Sequence, residues 1–323
     1  MTANEPLNPD LTLRLRVQDA QMVAQDIRQF TLVDADGGEL PEFTPGSHIL
    51  IQAPNGATRR YSLSSAPQDR DHYAIAVKRE PDGRGGSISM VDEIQVGDVL
   101  FASPPRNEFE LKENAPSYTF IAGGIGITPV RSMIRHLANT SDRPWKLYYL
   151  SRDPSMTAYR EELAAPEFRG KVIVHHDNGD PDRALDLWPV LEKPKGHVYC
   201  CGPKGLMDAV RDMTGHWPSS AVHFEDFASR KTARVLDDKP FVVHFLGEPI
   251  DVPATTSILE ALRARGHRIP SSCESGTCGT CRMKLLAGIA DHRDLVLTDE
   301  ERLTNIMVCV SRAQSPELTI AHE

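Results

Sequence analysis

The chain has 323 residues, 40% hydrophobic and 25% charged, the composition of a core-forming protein and not of a disordered or collagen-like one. Its formal net charge of −9 argues against a nucleic-acid partner, which would draw a basic footprint. No apolar run approaches the roughly 18 residues that span a bilayer, and Met1–Asp10 lacks the basic-then-apolar start of an export signal, so a cytoplasmic chain with no membrane partner is expected.

From Leu11 to about Phe109 the pattern predicts six short strands, Leu11–Val17, Phe30–Val33, Ser47–Gln52, Arg59–Leu63, Tyr73–Lys78 and Val99–Ala102. Turn residues at 36–38, 54–56 and 82–83 punctuate them, the spacing of a small closed antiparallel β-barrel. Beyond Tyr118 strands alternate with helices: Tyr118–Ala122, a glycine turn, a helix carrying Val130, Met133, Ile134 and Leu137, then Lys146–Leu150, a helix near Tyr159–Leu163, Lys171–His175, His197–Cys201 and a helix carrying Leu206, Met207, Val210 and Met213. That alternation predicts a parallel α/β sheet. Polar, aperiodic residues follow from Asp226 to Pro240 and read as a linker.

The last segment opens with a hairpin, Phe241–Phe245 and Ile250–Val252, around Gly247. Ser257 and Glu260 form a capping box, and Gly266 supplies the helix stop. Strand Arg282–Leu286, a short helix near Asp299–Leu303, strand Ile306–Val310 and Leu318–Ile320 complete an α+β unit of roughly 85 residues, a size that gains from a metal staple. The expected division is 1–112 barrel, 113–228 nucleotide domain, 229–239 linker and 240–323 the α+β unit.

The six cysteines are unevenly placed, with none in the first 199 residues. Cys273 and Cys278 are separated by four residues, Cys278 and Cys281 by two, and Cys309 follows far downstream, the plant-type ferredoxin spacing for a [2Fe–2S] cluster. Ser271, Ser272, Ser275, Gly276, Thr277, Gly279 and Thr280 are small enough for the backbone to wrap closely and aim its amides at sulfur. Structural zinc would call for paired two-residue knuckles, and only one is present.

Two strand-to-helix junctions point to a nucleotide. Gly124-Ile-Gly126-Ile-Thr128-Pro129 sits where a phosphate-binding turn belongs, with Thr128 placed to cap the helix and Pro129 in its first turn, although Pro129 replaces the third glycine of the full fingerprint. Cys201-Gly202-Pro203 repeats the design, and two such ends side by side make the crevice of open α/β sheets. In the barrel, Arg59-Arg60-Tyr61-Ser62 and Gly85-Gly86-Ser87 read together as a flavin strand and a phosphate cradle.

This order of barrel, nucleotide sheet and carboxyl-terminal ferredoxin resembles the ferredoxin-reductase superfamily, in its branch of FMN/iron–sulfur reductase components of Rieske oxygenase systems. The likeness runs from about Leu13 to the end and includes Arg-Gly-Gly-Ser (84–87), Gly-Gly-Ile-Gly-Ile-Thr-Pro (123–129), Tyr-Cys-Cys-Gly-Pro (199–203), the cysteine loop (271–279) and Ile-Met-Val-Cys-Val-Ser-Arg-Ala (306–313). The resemblance implies a flavin barrel, an NADH-binding sheet and a β-grasp plant-type ferredoxin domain. It implies FMN held by Arg59, Tyr61, Ser62, Val77, Lys78, Arg79, Gly85, Gly86 and Ser87, with Arg60 also on the flavin strand; Thr58-Arg59-Arg60 departs from the family's Arg-Arg-Thr. NADH would lie between Gly124, Gly126, Thr128 and Pro129 and the Cys201-Gly202-Pro203 turn. Phe224 would shield the flavin, and Ser62, Cys201 and Glu225 would support hydride transfer. Cys273, Cys278, Cys281 and Cys309 would bind the [2Fe–2S] cluster, which passes single electrons to a Rieske-type oxygenase acting on phthalate or a related aromatic acid.

Two alternatives share the layout: the reductase of an aromatic-acid O-demethylase or monooxygenase, and a stand-alone flavin reductase. The absence of heptads predicts a monomer. His175-His176 reads as a strand-end pair and not a metal site, while Asp177 is placed to face the nucleotide cleft. Arg152 could favour a 2′-phosphate and Asp153 free ribose hydroxyls; the resemblance tips the balance to NADH. Glu274, Asp294, Asp299, Glu300 and Glu301 would give the cluster loop an acidic docking face.

Overall fold

The computed structural model describes residues 8–81, 83, 85–227, 238–271, 276, 279–294 and 296–322. Arg84, Cys273, Glu274, Cys278 and most of the expected linker lie outside the described residues. The chain divides into two units, one of 13–227 and one joining the amino-terminal residues to the carboxyl-terminal segment.

In the first unit, β1 (Leu13–Ala24), β2 (Ile27–Asp34), β3 (Ser47–Gln52), β4 (Thr58–Ser62), β5 (Tyr73–Lys78) and β6 (Val99–Ala102) pair antiparallel in the order β4-β3-β6-β1-β2-β5, with β7 (Arg106–Asn107) beside β3. The edges meet just beyond β4, where the Ser64 amide donates to the Ala74 carbonyl at 2.8 Å. Alternate residues point inward, so Leu15, Val17, Phe30, Leu32, Ile49, Ile51, Ile75 and Val77 fill the barrel. The first strand runs well past its expected end at Val17. Its ladder to β2 continues through irregularities at Val17/Asp19 and Met22/Ala24, where polar outward residues hide the strand from a pattern reading. A helix, α1 (Gly86–Glu93), follows β5; the Arg28 guanidinium donates to the carbonyls of Val91 (2.6 Å) and Ile94 (3.0 Å) at its carboxyl end.

Five parallel strands, β8 (Tyr118–Gly123), β9 (Trp145–Ser151), β10 (Val172–His176), β11 (His197–Cys201) and β12 (Val222–Glu225), stand in the order β10-β9-β8-β11-β12. The last was not expected as a strand. Helices α2 (Ile127–Thr140) and α5 (Lys204–Met213) follow β8 and β11, with the short α3 (Arg160–Leu163) and α4 (Trp188–Leu191) between them in sequence. One buried cluster joins Ile27 and Ala76 of the barrel to Ala122 and Cys201 of the sheet. Arg131 reinforces that joint: its guanidinium donates to the Ser64 carbonyl (2.8 Å), forks onto Glu162 and lies 4.3 Å from the Tyr159 ring centre.

The second unit contains β13 (Phe241–Phe245), β14 (Glu248–Val252), α6 (Ile258–Ala264), β15 (Arg282–Ala287), β17 (Asn305–Met307) and β19 (Glu317–Ala321), with the sheet order β14-β13-β19-β15-β17 and a small pair, β16 (Ala290–Asp291) and β18 (Arg312–Ala313). Both halves of the Ser257–Glu260 capping box form. The strand expected at Ile306–Val310 stops at Met307, and the expected terminal strand is the central one. Asn8–Thr12 belongs here and not to the barrel, because fully buried Asn8 donates its amide to the Ser271 carbonyl at 3.3 Å. Among the described residues no helix is long and apolar enough to cross a membrane.

Candidate active site

Strand β4, the expected flavin strand, presents opposite faces at successive residues. Arg59 lies against the start of α1: a Cβ on Gly86 would stand 3.1 Å from its Nε. Gly85 adopts φ 81, the left-handed backbone that a side chain would strain, immediately before that helix. Tyr61 packs on the barrel core with its hydroxyl buried and without a hydrogen-bond partner, and burial pushes the phenol pKa up. Val77 points into the core, Lys78 pairs with Glu80 at 2.6 Å, and Ser87 Oγ accepts from the Glu80 amide at 3.1 Å. Arg79 is forked onto Asp92 of α1 at 2.8 to 3.1 Å, so it fastens the helix.

Ser62 and Arg60 face the other way, toward the carboxyl ends of the parallel sheet. The Arg60 guanidinium donates to Glu108 (2.8 Å) and to the Asp226 carbonyl (3.3 Å), and lies 3.9 Å from buried Glu225. It therefore points away from α1, on the face of β4 that it shares with Ser62. Ser62 Oγ and both Glu225 oxygens are buried with no hydrogen bond of good geometry, although Ser62 stands near enough to Glu225 to favour its ionised form slightly. Burial raises the Glu225 carboxyl to about 7, although Arg60 pulls against it. His48, directly across the ladder from Ser62, is fully buried with neither ring nitrogen bonded; burial and then Arg60 and Arg106 lower it to about 3. A lone strand histidine carried no signal in the sequence. Unpartnered polar atoms gathered at one place form a cradle for a polar ring system.

The two glycine turns press together at this same end. A Cβ on Gly126 would stand 2.1 Å from the Cys201 carbonyl oxygen, and one on Gly123 would stand 2.6 Å from Pro203 Cδ. Bare backbone therefore lies on both sides of the junction where the expected nucleotide crevice would open. Gly124 adopts φ 52. Pro129 is in the first turn of α2, as expected, but Thr128 is not its cap: it lies inside the helix and donates to the Ile125 carbonyl at 3.0 Å. Cys201 is aligned with Glu225, and burial drives its thiol well above the usual range, so it stays protonated.

Two expected residues lie elsewhere. Phe224 faces the opposite side of the sheet from Glu225, packed with Met207, Val210 and Trp217 and covered by the Arg211 guanidinium at 4.5 Å. Phe227 is partly buried and packs against the cluster shared by barrel and sheet. Asp177 follows the edge strand β10, two strands from Gly126, and its carboxylate accepts from the Gly179 amide at 2.7 Å. Asp153 is likewise engaged, accepting from the Ser155 and Met156 amides. His175 bonds the Arg183 carbonyl (2.7 Å) and His176 bonds Thr157 (3.0 Å), the ordinary pairing expected of them.

In the other unit, Cys281 and Cys309 are buried among apolar residues. The ladder that pairs Arg282 with Met307 continues in a bond from the Val308 amide to the Cys281 carbonyl at 3.4 Å, which draws the two cysteines to one place. Ser271, at the entry to the cysteine loop, is held by Asn8 at its carbonyl and by Arg263 at its hydroxyl (2.6 Å). Soft thiolate donors at this spacing suit an iron–sulfur cluster. Asp294 is buried and accepts from the Val296 and Leu297 amides, which removes it from the expected acidic face.

A stability test follows from Glu225. Its carboxyl releases a proton near 4.5 when unfolded and near 7 when folded, so its contribution is full below 4.5 and is lost as pH rises to 7. In flavin-free protein Glu225→Gln should gain on the wild type by up to about 1.4 kcal/mol per pH unit across that window. Denaturant titrations at several pH values measure it; a constant difference would show that the carboxyl titrates in the folded chain as it does in the unfolded one.

Three domain-family models match the chain: an oxidoreductase FAD-binding domain over residues 14–111, an oxidoreductase NAD-binding domain over 120–212 and a 2Fe-2S iron-sulfur cluster binding domain over 243–314. Phthalate 4,5-dioxygenase oxygenase reductase subunit of Pseudomonas putida is 50% identical, with 99% of each chain covered. Phthalate dioxygenase reductase of Burkholderia cepacia is 52% identical over 95% of this chain and 97% of its own. A solved structure of phthalate dioxygenase reductase, described as a modular structure for electron transfer from pyridine nucleotides to [2Fe-2S], superposes with a TM-score of 0.85 at 51% identity, covering 96% of this chain and 97% of that one.

Proposed function

The chain belongs to the phthalate dioxygenase reductase family of NAD-, flavin- and [2Fe–2S]-dependent oxidoreductases, and from that premise we propose that it is the NADH-dependent reductase component of an aromatic-ring oxygenase system, using FMN and serving a Rieske-type oxygenase. Phthalate or a related aromatic acid is the proposed substrate of that partner. The observation that carries the reading is the meeting of β4 with the glycine turns: the buried Ser62 and Glu225 oxygens, without a well-formed hydrogen bond, stand where Gly126 and Cys201 bring bare backbone together.

When bound, the flavin supplies the conversion of a two-electron donor's hydride into single electrons for the cluster. The chain's own residues bind and orient. Arg59 with the Gly85–Ser87 turn would hold the flavin phosphate, Tyr61 would lie along the ring, and Ser62 would meet its edge. Phe227, which packs against the cluster shared by barrel and sheet, is the proposed shield of the flavin face in place of Phe224. Gly124, Gly126, Pro129 and Cys201–Pro203 would admit the pyridine nucleotide, with Thr128 bracing the first turn of α2 through its bond to the Ile125 carbonyl and Asp177 nearer the adenosine end. Cys201, held as a neutral thiol, adds no charge there. Cys273, Cys278, Cys281 and Cys309 are the proposed cluster ligands. We assign 1–112, 113–228 and 240–323 to flavin, nucleotide and cluster, joined by 229–239, with Asn8–Thr12 packed in the last unit. A monomeric, cytoplasmic protein fits this role.

Anaerobic titration of the holoprotein with NADH and then NADPH, followed by visible absorbance, tests the reading. NADH should bleach both chromophores with about three electrons per chain, and released flavin should be FMN by mass. Flavin bleaching alone would remove the cluster, and no chromophore in intact protein would remove the proposal. Full turnover of a small substrate after deletion of 240–323 would favour a stand-alone flavin reductase.

A further inference from the structure

Arg60 holds what no phosphate role explains. Its guanidinium reaches from the flavin strand across to the exit of β12, donating to Glu108 on one side and to the Asp226 carbonyl on the other, with Glu225 at 3.9 Å. The side chain is largely buried, at 17% exposure, so the contacts are sheltered from competing water. The carbonyl it grips belongs to the peptide that leads directly into Phe227. A planar fork with several donors can bind a carboxylate and a carbonyl at once, which an ammonium holds less rigidly.

We propose that Arg60 is a positioning residue that latches the exit of β12 onto the flavin strand and so fixes where Phe227 stands over the cofactor. This rests on the reading that the flavin lies along β4. Arg60 faces away from the Gly85–Ser87 turn, so it would act on the nucleotide step from the exit of β12, where Glu225 also lies 3.9 Å from its guanidinium. A loosened latch lets Phe227 wander, and a displacement near 1 Å is enough to cost up to about 100-fold in a reaction that depends on alignment.

The test is a double-mutant cycle in holoprotein, with Arg60→Met, Phe227→Ala and the pair, read as the NADH concentration dependence of anaerobic flavin reduction. Arg60→Met should retain full flavin content and change the limiting rate or the apparent NADH affinity by at least about 10-fold. In the Phe227→Ala background the same change should add less than about twofold. Glu108→Gln, which loosens the latch from its exposed side, should give a smaller shift in the same direction and covers the case in which Arg60→Met fails to fold. Effects that multiply fully overturn the latch while leaving the flavin reading intact. Loss of flavin from Arg60→Met returns the residue to cofactor binding. A silent Phe227→Ala overturns the shielding role and the latch together, whereas loss of flavin on Arg59→Met tests the underlying reading by itself.

Discussion

Cys309→Ser should leave NADH able to bleach the flavin while electron delivery beyond it falls by more than about 100-fold, since even outer-sphere changes at metal centres cost 10- to 100-fold. Cys309 is buried, and the β15–β17 ladder with its Val308-to-Cys281 bond sets it beside Cys281. A serine there offers a hard, weakly acidic oxygen where iron and sulfide favour thiolate, and it leaves a polar group among Met283, Ile306 and Val308. The anaerobic titration should consume about two electrons per chain instead of three. Cys200→Ser is the matched control. That thiol packs with Met207 and Val210 and is pushed up to about 12 by burial, so both chromophores should survive its loss. If Cys309→Ser keeps the cluster absorbance, the ligand set proposed for the loop is wrong.

Gly126→Ala should end reduction by NADH while leaving the flavin in place. The added methyl would sit 2.1 Å from the Cys201 carbonyl oxygen and 2.5 Å from its carbon, backbone atoms that cannot swing aside. The turns after β8 and β11 would be forced apart at the nucleotide mouth, at a cost of about 3 kcal/mol or more. The barrel packs around a separate set of residues and should hold its cofactor; a chemical reductant should still bleach both chromophores. Gly205→Ala, at the second residue of α5, has no heavy atom within 4 Å of the new carbon and should be neutral or gain up to about 0.5–1 kcal/mol from helix propensity. Unchanged NADH affinity in Gly126→Ala would separate the nucleotide from this crevice.

What the sequence revealed and what it hid have the same physical origin. The cysteine spacing is legible because metal ligation fixes residue type and interval together, and the glycine turns because close backbone contact admits no side chain. Parity was harder. The resemblance places Phe224 at the flavin and Glu225 beside the nicotinamide, and Arg59 and Arg60 together on the flavin strand, yet neighbours on a strand face opposite sides. Had Val222–Glu225 been read as a strand, Glu225 and Phe224 could not have shared a face. His48, Phe227 and Arg131 left no pattern, since their placement depends on the barrel and the sheet meeting.

The bond between Asn8 and Ser271 closes a loop of 263 residues, so one folding unit begins with the first described residues and is completed only by the last quarter of the chain. At a ribosome adding about 5–20 residues per second, the opening segment waits on the order of 13 to 50 s for its docking site. The barrel and sheet can mature within that interval, as an insertion into a unit that is not yet whole. Iron–sulfur loading therefore belongs at the end of synthesis, after the flavin site exists. A chain restarted at Leu13 would carry every proposed ligand and still present the cysteine loop without the contact that steadies its entry.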